Sequence, residues 1–62
     1  MTSNEQALLA QMQDMGYSRG LCITALQILS QSNQAASEML AYIYDEHPTE
    51  EEFIAEMARI CE

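Results

Sequence analysis

The stretch "DMGYSRGLCITAL", residues 14–26, places a helix end, a turn and a helix start within a few positions. Upstream of it, Leu8, Leu9, Met12 and Met15 recur at helical spacing among Glu5, Gln6, Gln11 and Gln13. Gly16 follows the last of these, where a helix closes its carbonyls through a left-handed residue that glycine adopts cheaply. Ser18 then offers a hydroxyl to the free amides of the next helix. Those two duties do not explain Met15 and Tyr17, which put a thioether and a phenol on either side of a loop glycine. One reading is local packing, with Met15 completing the first helical stripe and Tyr17 pinning the loop. The other is a docking surface, which leaves Tyr17 partly wet in the free monomer.

Working outward, the rest of the chain also reads as helix. Ser3 or Asn4 can cap the first helix. The second runs to about Ser30, and Leu21, Cys22, Ile23, Ala25, Leu26, Ile28 and Leu29 leave only Thr24 and Gln27 as polar interior positions. Apolar groups most of the way round predict a central helix with neighbours on several sides. "SQSNQ", residues 30–34, is the next break. A third helix carries Ala36, Met39, Leu40 and Ile43 on one face with Tyr44 beside them, and it stops ahead of "HP" because the residue before a proline disfavours helical backbone. His47 is then a helix-end residue. The fourth helix opens on Thr49, with Glu52 placed to complete a capping box. Glu50, Glu51 and Glu52 fill its first turn, where the positive end of the helix dipole favours them. Phe53, Ile54, Met57, Ile60 and Cys61 form its expected buried face. The fold class is all-α and the chain one domain: a three-helix core over about residues 4–46, then an acidic helix over about 49–61.

Charge narrows the partners. Ten acids face two bases, Arg19 and Arg59, for a net charge of −8, and there is no lysine. Such a surface repels phosphate backbones and anionic membranes, so neither nucleic acid nor a membrane surface is an expected partner. It favours a protein partner with a basic rim. The acidity is uneven: residues 1–44 carry Glu5, Asp14 and Glu38 against Arg19, whereas Asp45, Glu46, Glu50, Glu51, Glu52, Glu56 and Glu62 face Arg59 in the last third. No apolar run approaches the roughly 20 residues of a membrane span, and no signal-like segment opens the chain. Cys22 and Cys61 share no metal-type spacing with each other or with His47 and read as thiols of a reducing cytoplasm, Cys22 as a small buried hydrophobe.

The chemistry of an enzyme is not legible. One histidine, no lysine and two cysteines without a base nearby in sequence make no catalytic constellation, and Gly16 with Gly20 makes no phosphate loop. "DEHPTEEEFIAE", residues 45–56, has the outer acids of a calcium loop. However, it places His47 and Thr49 at the third and fifth positions and Glu50 where glycine is needed. Ser18 starts a helix, as the modified serine of acyl carrier proteins does, but Tyr17 stands where that family has aspartate. No catalytic, cofactor-binding or metal-binding residue is expected.

"MGYSRGLCITAL", residues 15–26, resembles the first loop and second helix of ubiquitin-associated (UBA) domains. The matching parts are Met15-Gly16-Tyr17, the cap Ser18 with Arg19, Cys22 and Ile23 at the small and aliphatic positions, and the Ala25-Leu26 pair. The resemblance implies a compact three-helix bundle that binds other proteins, commonly ubiquitin. The binding patch would be apolar, made by the loop and the end of helix three. By position, Met15, Gly16 and Tyr17 supply the loop side, and Ile43 and Tyr44 the helix-three side.

Three features depart from that family. The second loop is about two residues longer, the helix-three pair is only half aliphatic, and Leu21 and Ile28 stand at positions that UBA domains usually make polar. These two lie seven apart on one face, so either the fourth helix covers them or a homodimer does. The functional expectation is a non-catalytic interaction module, with ubiquitin the default partner. Its alternative is a standalone acidic helical regulator or structural protein, a homodimer or an inhibitor, that does not bind ubiquitin. A bacterial source would favour the alternative.

Overall fold

The computed structural model describes residues 2–60, with the backbone alone at residue 33. These residues form four helices and no strand: α1 (Ser3–Asp14), α2 (Arg19–Leu29), α3 (Asn33–Glu46) and α4 (Glu50–Ile60). They pack into a bundle of nearly equal extents, 23 × 22 × 22 Å. None of these helices is long and apolar enough to cross a membrane.

Local chemistry sets each boundary. α1 starts one residue earlier than Ser3 or Asn4 as caps would allow, because Thr2 is the cap. Its Oγ1 accepts from the Glu5 amide at 3.2 Å and donates to Glu5 Oε1 at 3.0 Å. This bond lets the Glu5 carboxylate sit in a buried position. α1 ends in a Schellman motif: the Gly16 amide donates to the Gln13 carbonyl, the Tyr17 amide to that of Met12, and Gly16 takes φ +83°. Ser18 caps α2 and Ser32 caps α3, each hydroxyl accepting an amide three residues on. α3 ends on His47, whose φ of 47° makes it the one non-glycine residue with positive φ among the described residues. Thr49 and Glu52 form the capping box of α4, at 3.2 and 3.1 Å.

The broadest helix contact is α1 on α3, not one involving α2. The expectation of a central second helix is therefore corrected. Only Leu21, Cys22, Ala25 and Leu29 of α2 are buried, while Ile23 and Ile28 stay 50% and 39% exposed. Two of its four buried positions are the small Cys22 and Ala25, so α2 presents one face to the core and leaves a mixed outer face. The core proper joins Leu8 and Met12 of α1, Ala36, Met39 and Ile43 of α3, and the buried face of α2. α4 adds Phe53 and Met57, with Ile60 partly covered. Ile54 was expected in this face but is 44% exposed. It lies about 100° round the helix from Phe53, off the stripe that Phe53, Met57 and Ile60 share. Cys61 lies outside the described residues.

Each end of α4 lies near the corresponding end of α2. Glu50 at its start bonds Ser18 at the start of α2, and Ile60 at its end lines a groove with Ile28. Of the Leu21/Ile28 stripe, Leu21 is buried and Ile28 is left at the groove mouth.

The two glycines respond oppositely to alanine. Open space surrounds both, so sterics with neighbours do not decide. At Gly16 a side chain must adopt the left-handed region, at about 1 kcal/mol, whereas at Gly20 alanine removes helix entropy cost. Thermal unfolding followed by circular dichroism is expected to show Gly16→Ala lowering Tm by roughly 4–8 °C and Gly20→Ala raising it.

Candidate functional site

The residues singled out from the sequence fall on two adjacent segments. Met15 and Tyr17 are half-buried and pack against the core, while Gly16 between them is exposed. Tyr44 is half-exposed on α3. Ile43 is fully buried and offers no surface to a partner, which corrects its place on the helix-three side of the patch. The reason is its register: Ile43 falls four residues after Met39 and seven after Ala36, on the stripe of α3 that faces the core, and Tyr44 is the next position round.

What joins the two segments is Tyr17. Its hydroxyl donates to the carbonyl of Pro48, just beyond the end of α3. Its ring meets that of Phe53 edge-to-face, with centroids 5.3 Å apart and planes at 64°. The hydroxyl bond and the ring pair are each worth on the order of 1 kcal/mol. Beside them, Ser18 Oγ donates to Glu50 Oε1 at 2.7 Å. The loop is thus tied at three points to residues 48–53. Sequence reasoning missed these partners because each lies more than 30 residues from Tyr17 or Ser18. The position of Tyr17 did hold a signal: the second residue past a Schellman helix end usually makes an apolar contact back onto the structure.

The surroundings are acidic. Asp45, Glu46, Glu51 and Glu52 are exposed and Glu50 partly so, all within the turn from α3 into α4. Tyr17 holds its proton above its ordinary value, first because it is partly buried and then because Tyr42, Glu50 and Glu52 oppose a phenolate. Burial likewise pushes the Cys22 thiol up, helped by Glu50, which suits a thiol packed in the core. Tyr42 is raised by burial and by Glu52, Glu56 and Glu46. At the other end of α4, Arg59 bonds Glu56 and holds that carboxyl below its ordinary range. Among the described residues no three His, Cys, Asp or Glu side chains gather as a metal set. A separate groove of about 470 Å³ opens between the end of α2, the start of α3 and the end of α4, lined by Ile28, Ala35 and Ile60 with polar neighbours.

Compared with family models, with curated proteins and with solved structures, the chain matches none.

The raised acids give a pH dependence of definite sign. Unfolded Cys22 ionises around 9.0 and unfolded Tyr17 and Tyr42 around 10.0, while the folded state holds these protons to higher pH. Above those values the unfolded chain binds fewer protons, so the stability these groups contribute is complete below pH 9 and drains away as pH rises. Urea midpoints are expected to fall steadily from pH 8.5 to 11. A midpoint unchanged over that range would contradict the burial of these groups.

Proposed function

We propose that the chain is a non-catalytic protein-binding module of UBA-like type. It docks its partner on the surface formed by the 15–17 loop and the end of α3, and ubiquitin is that partner. The observation that carries this reading is exposure: Gly16 and Tyr44 stand open, with Met15 and Tyr17 half-buried on either side of Gly16. Each element of that surface suits docking. Gly16 lets a partner backbone approach closely, because open space lies around it. Met15 supplies an adaptable thioether at the rim, and Tyr44 a rigid ring with a polar tip. The carboxylates from Asp45 to Glu52 favour a partner whose apolar face has a basic surround, by steering encounter and rejecting acidic competitors.

Titrating isotopically labelled chain with ubiquitin tests this directly. Amide shifts are expected at residues 15–17 and 44, with Tyr44→Ala weakening binding several-fold. Unperturbed amides there at millimolar ubiquitin would remove ubiquitin as the partner.

A second reading is favoured by one observation: Ile28 and Ile60 share an open groove away from the loop. In that reading the chain is an acidic regulator that pairs with a second copy across the α2–α4 face. Sedimentation at high concentration is expected to show dimer that Ile28→Glu abolishes, and a monomer throughout would sink it.

A further inference from the structure

We propose that α4 is a latch on the docking surface: its first turn, with Pro48 ahead of it, holds Tyr17 of the loop from within the chain, and a partner gains the whole surface only when α4 swings out. The inference rests on the docking reading above and adds its regulation. The three ties of the loop all run to residues 48–53, so the ring of Tyr17 is engaged edge-to-face by Phe53 and its hydroxyl by Pro48. Within the loop it is Tyr17 that α4 engages, through Phe53, while Gly16 stays exposed with open space around it.

Three features make α4 the part that moves. The core cluster is supplied mainly by α1–α3, with only Phe53 and Met57 from α4, so most of the packing lies among the first three helices. The joint is His47, a non-glycine residue in the left-handed region, where strain is relieved when the backbone turns. The capping box between Thr49 and Glu52 is internal to α4, so its first turn keeps these bonds when it lifts. Charge favours lifting too, since the acidic last third packs on a body that is itself net negative. A partner with a basic rim relieves that repulsion on both pieces.

Cys22 is the built-in reporter. It is 2% exposed and belongs to the same buried cluster as Phe53 and Met57 of α4. In a chain carrying Cys61→Ser, the reaction of Cys22 with a disulfide reagent measures opening at that spot. The expected result is labelling faster than global unfolding and little affected by low urea. Tyr17→Phe is expected to raise the rate about five-fold, the effect of one lost hydrogen bond, while amides of α1–α3 keep their exchange protection. Labelling only at the rate of global unfolding, or loss of protection throughout α1–α3 when Phe53→Ala detaches α4, would overturn the latch.

Ubiquitin is the probe for the coupling. By reciprocity, a ligand of the open form accelerates Cys22 labelling, and Phe53→Ala tightens its binding, here by about ten-fold. Ubiquitin that binds the wild-type chain but leaves labelling unchanged or slower docks on the closed form, which overturns the latch and leaves the docking reading standing. Fast local opening with no ubiquitin binding to either the wild-type chain or Phe53→Ala supports the moving helix and removes ubiquitin as the partner.

Discussion

The structure turns on the side chain of Tyr17. It sits at the second position beyond the end of α1, where the chain has just reversed through Gly16, and from there it reaches the far end of the sequence. Its ring gives Phe53 an aromatic partner, and its hydroxyl donates to the carbonyl of Pro48 in the turn between α3 and α4. Without that side chain, α4 would be held by the burial of Phe53 and Met57 and by one exposed bond between Ser18 and Glu50. A chain of this size has only about 3–9 kcal/mol of folding free energy. Two contacts of roughly 1 kcal/mol each at one residue are therefore a substantial share.

Position and chemistry together explain how one residue can suit two ends. A phenol has an apolar body and a polar tip, so it can close a core and still face water at one edge. Packing and docking, the two readings open at the level of sequence, are consequently not exclusive. Tyr17 is half-buried, neither wet nor sealed. In this structure it packs, through its ring on Phe53 and its hydroxyl on Pro48.

The helices were legible in the sequence where local rules govern. Gly16, Ser18, Thr49 and Glu52 do what their chemistry dictates within three or four residues, and the fourfold helical division follows from them. Thr2 escaped because Ser3 and Asn4 are equally good caps, and only the reach back from Glu5 decides between the three. The failures lie where geometry is non-local. Nothing in the pattern of α2 says that two small buried residues leave Ile23 and Ile28 outside, and nothing local links Tyr17 to Phe53. Ile43 is instructive in another way: its helical register already placed it on the core face, and register prevails over a position matched by resemblance.

The composition of the core has a consequence for plasticity. Met12 and Met39 are fully buried and Met57 nearly so, while Phe53 is the one aromatic side chain sealed from solvent among the described residues. Three thioethers, each with several rotatable bonds and a polarizable sulfur, fill irregular space more readily than branched aliphatic groups do. A core lined this way can flow into the volume that a departing ring vacates, where a stiffer interior would hold a void open. The interior of this protein is thus suited to more than one arrangement of the same four helices.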